Sequence, residues 1–196
     1  MTRIDECKLG IIGITELLPK NSRYIIDKAE VQIDGYDLFT NDLETKKGRG
    51  VILYANQQFK AQEVKFDTQF EESIWIKINQ TPEQNILIGC IYRSPSSNLE
   101  NLHELCQLID LISNQKNNFS HIVIMGDFNL PKINWDNWTT SGDTFSETFM
   151  ECIRRNYLFR SVAKPTRGRQ NNKPSTIDLI LTNDDFITSL EHNSPI

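Results

Sequence analysis

Apolar residues follow two rhythms along this chain. Ile122-Val123-Ile124-Met125 is a short run with β-branched residues, which reads as a strand buried on both faces. Leu9 to Ile14 is a second such run and predicts another buried strand. Tyr36–Phe39, Val51–Ala55, Ala61–Phe66, Ser73–Asn79 and Ile86–Tyr92 predict further strands. Around Trp75-Ile76-Lys77-Ile78 apolar and polar residues alternate, which predicts one exposed face. The second rhythm is helical. Leu99, Leu102, Cys106, Ile109 and Ile112 recur at steps of three and four, predicting an amphipathic helix over about 98–115 with Asn98 as its cap. That helix links two strand signals as a β-helix-β crossover. Thr144–Tyr157 repeats the pattern with Phe145, Phe149 and Ile153, and Thr176–Thr182 closes the series as a strand. The outcome is one mixed α/β domain spanning residues 1–196.

The ends of the strand signals carry the candidate chemistry. Gly126 and Pro131 bracket Asp127 and Asn129, which lie two residues apart and therefore on one side of an extended segment. A carboxylate and an amide thus emerge at the carboxyl end of a buried strand, where open α/β sheets place their ligands. Both residue types also shape turns, and the two positions alone leave that reading open. Glu16 follows the strand at 9–14 in the same way. Asp178 lies inside an apolar strand signal, and buried carboxylates are rare unless paired or metal-bound. If these strands are neighbours, three acids and an amide form an oxygen-rich pocket of the kind that suits Mg²⁺ and phosphates.

Charge adds one asymmetry. The net charge is −5, yet residues 152–174 hold seven basic residues and no acid: Arg154, Arg155, Arg160, Lys164, Arg167, Arg169 and Lys173. Such a strip can attract a polyanion, and it can equally be a solvated surface. The four cysteines form no CxxC pair, and Cys90 and Cys106 sit in apolar segments as reduced core residues. With only three scattered histidines, a zinc site is not expected. No apolar run reaches the roughly 18 residues of a membrane span, and residues 1–9 lack the apolar centre of a signal peptide.

Five motifs in order say more. They are Ile-Thr-Glu (14–16), Gly-Arg-Gly-Val-Ile-Leu-Tyr (48–54), Ile-Tyr-Arg-Ser-Pro (91–95), Gly-Asp-Phe-Asn (126–129) and Ile-Asp-Leu-Ile-Leu-Thr-Asn (177–183). Together they resemble the endonuclease/exonuclease/phosphatase superfamily, most of all the apurinic-type endonuclease domains of non-LTR retrotransposons. The resemblance implies a DNase I-like sandwich of two β-sheets flanked by helices. It also implies a phosphodiesterase dependent on Mg²⁺ or Mn²⁺ that nicks DNA and leaves a 3′ hydroxyl to prime reverse transcription. By position, Glu16 would hold the metal, Tyr92 would position the scissile phosphate or leaving group, and Asp127 would activate water. Asn129 would orient the phosphate or metal, and Asp178 would orient the groups around them. Arg154, Arg167, Arg169 and Lys173 are the candidate DNA contacts. The expected partners are DNA and a reverse transcriptase in a parent polyprotein, with no membrane, and the expected location is intracellular, nuclear at the site of action.

The pattern departs from the family at both ends. The family opens with a strand ending in Asn and closes with Ser-Asp-His, whereas Glu16 comes early here and the chain ends Glu191-His192-Asn193-Ser194-Pro195-Ile196. His192 lacks the preceding Asp and is not assigned as the family's catalytic histidine. The reading is of a domain without its first and last strands, its nuclease activity impaired. The alternative is a non-catalytic remnant that at most binds nucleic acid. A phosphatase of small phosphoesters is disfavoured by Ile-Tyr-Arg-Ser-Pro and by the Asn-Leu-Pro-x-Ile-Asn-Trp stretch.

Overall fold

Two sheets stacked face to face, with helices on the outer side of the larger one, make up the computed structural model. It describes residues 9–17, 26–41, 50–81, 84–115, 118–168, 174–187 and 189–191. Arg169, Lys173 and His192 lie outside the described residues, as do residues 42–49.

The smaller sheet contains β1 (Ile11–Thr15), β2 (Tyr36–Asn41) and β3 (Val51–Asn56), antiparallel in the order β1-β3-β2. The continuous apolar run of β3 serves both of its faces. Val51, Leu53 and Ala55 point into the sandwich, while Ile52 and Tyr54 meet Val31, Ile33 and Leu38 outside. The Tyr54 hydroxyl donates to the Val31 carbonyl at 2.5 Å, so this outer cover is pinned as well as apolar. β1 is only half-buried, and Gly13 within it is exposed.

The larger sheet runs β10-β11-β7-β6-β5-β4. Its strands are β4 (Gln62–Glu63), β5 (Ser73–Thr81), β6 (Gln84–Tyr92), β7 (His121–Asp127), β10 (Phe159–Arg160) and β11 (Asp178–Thr182). β8 (Ile133–Asn134) and β9 (Thr139–Thr140) form a separate small hairpin. β6 and β7 are parallel, joined through helix α1 (Leu99–Ser113) as the crossover requires. The Asn98 side chain accepts from Asn101 N at 2.9 Å and caps α1. Leu102, Leu105, Cys106, Ile109 and Ile112 of α1 are buried against the outer face of the sheet. Each such side chain contributes on the order of 1.5–3 kcal/mol of burial. Helix α2 (Thr144–Arg155) packs beside it through Phe149, Cys152 and Ile153.

Four expectations change here. The strand predicted at 61–66 reduces to the two residues of β4, because only Gln62 and Glu63 pair with β5. The strand predicted at 176–182 begins at Asp178. The alternation in β5 is real, and its second face is partly covered: Asn79 is exposed and Ser73 and Lys77 are half-buried, but Trp75 is buried. Ile74, Ile76 and Ile78 enter the sandwich, while Trp75 is buried in the helix-side core. Gly89 on β6 makes room for that indole, since a Cβ there would lie 2.2 Å from the Trp75 ring. Helices stop at Ser113 and Arg155, slightly short of the predicted ends. No helix among the described residues is long and apolar enough to cross a membrane.

Candidate active site

Three neighbouring strands set one row of side chains. Tyr92, the last residue of β6, lies opposite Asp127, the last of β7, and Asp127 lies opposite Asp178, the first of β11. Residues paired across strands project to the same face, and Tyr92 belongs to the core between the sheets. The row therefore looks toward the smaller sheet. Glu16 arrives from there, one residue beyond β1. The Tyr92 hydroxyl donates to Glu16 Oε1 at 2.7 Å, tying the two sheets together at the site. Tyr92 is fully buried, so this contact fixes the position of the carboxylate.

Local backbone chemistry aims the acids. Gly126 sits at φ 145°, and a Cβ there would lie 1.8 Å from the Ile91 carbonyl oxygen. Only glycine lets β7 pass so close to β6 immediately before Asp127. Asn129 adopts the left-handed region at φ 51°. Its backbone N–H donates to Asp127 Oδ1 at 3.0 Å, and its Nδ2 donates to the Arg93 carbonyl at 2.9 Å. The Arg93 N–H in turn donates to the Asp127 carbonyl at 2.9 Å. Asp127 and Asn129 are thus oriented by one loop of hydrogen bonds, in which the bond from Asn129 N–H to Asp127 Oδ1 also shapes the turn. Glu16 is also left-handed, at φ 56°.

Asp127 is 8 % exposed. Burial pushes its pKa up to about 6, the Asp178 and Glu16 carboxylates push the same way, and the hydrogen bonds from Asn129 oppose them. A carboxylate tuned toward neutrality can accept a proton at working pH. Asp178 departs from expectation: it is exposed, at the start of its strand. Its informative property is its register opposite Asp127. Thr166 holds it there, its Oγ1 accepting from the backbone N–H of both Ile177 and Asp178 at 3.1 Å.

Neither Arg93 nor Thr166 was marked as a site residue by the sequence. The Ile-Tyr-Arg-Ser-Pro motif held a signal for Arg93. It is 2 % exposed, and its guanidinium lies over the Phe145 ring at 5.4 Å. Nothing in residue type or spacing distinguishes Thr166.

Among the described residues, no three His, Cys, Asp or Glu side chains cluster closely enough to hold a metal by themselves. The donor set still fits a hard divalent cation. Such ions bind through one or two carboxylates and keep their waters, and beside the buried Asp127 the Asp178 and Glu16 carboxylates are near enough to add to the rise in its pKa.

The basic residues are not one free strip. Arg155 donates to both carboxylate oxygens of Asp110 on α1, at 2.9 and 2.7 Å. Arg154 is exposed, but its guanidinium donates to the Trp138 carbonyl at 2.7 Å. The Arg160 side chain is largely buried over the Trp135 ring. Lys164 and Arg167 are exposed.

A small sheet packed on a larger one, with acids and an amide at the strand ends between them, is the DNase I-like arrangement. A family model described as endonuclease-reverse transcriptase matches residues 86–195, and the chain belongs to this endonuclease/exonuclease/phosphatase family. Solved structures share the fold at low identity. The endonuclease domain of TRAS1, a telomere-specific non-LTR retrotransposon, matches with a TM-score of 0.61 and 15% identity, over 91% of this chain and 74% of that one. The AP endonuclease LMAP from Leishmania major matches with a TM-score of 0.65 and 11% identity, over 91% and 71%. A 3′ phosphatase, NExo, from Neisseria, bound to product DNA hairpin, matches with a TM-score of 0.55 and 13% identity, over 88% and 76%. Among curated proteins, no sequence matches.

Proposed function

We propose that this chain is a divalent-metal-dependent DNA endonuclease domain of a non-LTR retrotransposon. The observation that carries this reading is the row Tyr92–Asp127–Asp178 on adjacent strands, joined to Glu16 by the Tyr92 hydroxyl. In this reading Asp127 takes the proton of the attacking water, Asn129 orients the phosphate, and Tyr92 holds Glu16 in place. Asp178, opposite Asp127, keeps the proton acceptor basic enough through its charge. Glu16, with Asp127 or Asp178, would hold Mg²⁺ or Mn²⁺, which supplies charge stabilisation for the phosphoryl transition state. Water adds to phosphorus, the bond to the 3′ oxygen breaks, and a 3′ hydroxyl remains to prime synthesis. The partners are then target DNA, in the nucleus, and a reverse transcriptase encoded with the domain.

A second reading, a non-catalytic nucleic-acid binder, draws on the exposed cations Lys164 and Arg167. Conversion of supercoiled plasmid to nicked circles separates the two. Nicking that requires Mg²⁺ and is lost in Asp127→Ala supports the endonuclease. Plasmid that stays supercoiled in Mg²⁺ and in Mn²⁺, with DNA still bound, sinks it in favour of the second reading.

A further inference from the structure

A cavity of about 380 Å³ opens beside the candidate active site. Pro131, two residues past Asn129, and Thr176, two before Asp178, contribute to its wall, so the chain runs from it into the site residues on two sides. Lys132, Trp135, Asp136 and Arg160 line the rest of its polar side. Three observations mark it as more than a surface fold.

The Arg160 side chain is only 12 % exposed, stacked at 5.8 Å over the Trp135 ring, and buried arginine is rare without an anion. Its acidic neighbour is Asp136, at 3.7 Å, beyond hydrogen-bond range, and the Asp136 side chain is 88 % exposed. A carboxylate so solvated is a loose partner that can swing away. Trp135 is itself 4 % exposed, and its indole N–H has no hydrogen-bond partner among the described residues. A mostly buried guanidinium with a displaceable counterion and a lysine at the rim give the cavity two cationic donors.

We propose that this cavity is a phosphate subsite, in which Arg160 and Lys132 hold a backbone phosphodiester of the bound strand and Asp136 occupies the anion position when no strand is present. The inference rests on the reading that nucleic acid crosses the candidate active site. The cavity exceeds one phosphate group in size, which leaves room for the attached sugar and bridging waters. Its contact fixes the register of the strand relative to Asp127.

The test is equilibrium binding of a short fluorescein-labelled duplex in EDTA, over a range of salt, for the wild type, Arg160→Gln, Lys132→Gln and Asp136→Asn. Arg160→Gln should weaken binding about tenfold and reduce the slope of log K against log salt by about one, the value of one phosphate contact. Lys132→Gln should weaken it about threefold. Asp136→Asn, a change at an exposed side chain, should strengthen binding about threefold, and it decides the matter if Arg160→Gln does not fold. Unchanged affinity and slope in Asp136→Asn and in folded Arg160→Gln would overturn the proposal. Inorganic phosphate forms a second arm. A rise in Tm with phosphate that disappears in Arg160→Gln shows that the cavity takes the free ion as well, and a response to duplex alone assigns it to the strand. Because no metal is present, a wild type that binds but never nicks defeats the catalytic reading and leaves this one standing.

Discussion

Asp178 stands directly opposite Asp127 across the antiparallel pair β11–β7, two acids in register at the site end of the sheet. Like charges in register repel, and the fold keeps this pair despite the cost. The relationship makes the site measurable without any substrate.

A carboxylate whose native pKa lies near 6, above an unfolded value near 3.9, binds its proton more readily when folded. Between about pH 4 and 6 the native state holds more protons, so stability falls as pH rises through that window. The penalty is fully present above pH 6 and absent below about pH 4, and it is on the order of 2–3 kcal/mol. Asp127→Asn should therefore stabilise the metal-free protein by about 1–3 kcal/mol at pH 7.5, with no gain at pH 3.5. Urea unfolding at the two pH values checks this. An equal effect at both would show that Asp127 carries no raised pKa.

Tyr92→Phe removes the hydroxyl that fixes Glu16 and leaves the buried ring in place. A hydrogen bond to a charged acceptor is worth about 1.5–3 kcal/mol, less where water can replace the donor. A loss of about 1–2 kcal/mol in chemical denaturation is expected. Plasmid nicking should fall with it, while DNA affinity in EDTA stays the same.

Gly126→Ala places a methyl group 1.8 Å from the Ile91 carbonyl oxygen, at a φ of 145° that side chains avoid. The strand beside Asp127 must shift, so the variant should lose roughly 3 kcal/mol or more. Circular dichroism melting would expose a harmless substitution at once.

Arg155→Ala and Arg167→Ala should separate stability from binding. Arg155 clamps α2 to α1 through both oxygens of Asp110, and its loss should cost about 1 kcal/mol with DNA affinity unchanged. Arg167 is exposed, bridged through its backbone to Ser175, and its loss should leave Tm unchanged while lowering affinity and the salt slope by about one phosphate contact. The reverse pattern would reassign both residues.

Much of this was legible in the sequence because periodicity is a direct record of burial. Ile122–Met125 and Leu99–Ile112 declare a strand and a helix by spacing alone, and Asn98 declares the cap. The pocket expected of Glu16, Asp127, Asn129 and Asp178 assumed neighbouring strands; β7 and β11 are neighbours, while Glu16 comes from the facing sheet. What failed were properties set by distant partners. Asp178 looked buried because its own strand is apolar, but it begins that strand and is exposed. Arg155 counted as a free cation because Asp110 lies 45 residues away. On the second face of β5 only Trp75 is buried, because it finds its cover in residues far along the chain. The backbone conformations of Glu16 and Asn129 were invisible too, since neither residue type requires them.

Those two left-handed residues have a consequence for how this protein would change under selection. Glu16 and Asn129 each hold a conformation that costs non-glycine residues about 1 kcal/mol or more, next to acids that repel one another. The sequence positions that weaken the fold most cheaply to repair are therefore the ones nearest the chemistry. A library sorted for heat tolerance alone would drift first toward glycine at 16 and 129 and toward neutral residues at 127 and 178. The hardiest descendants would keep the sandwich and erase the site. A lineage that retains all four under thermal pressure records, in that retention, that the site is still in use.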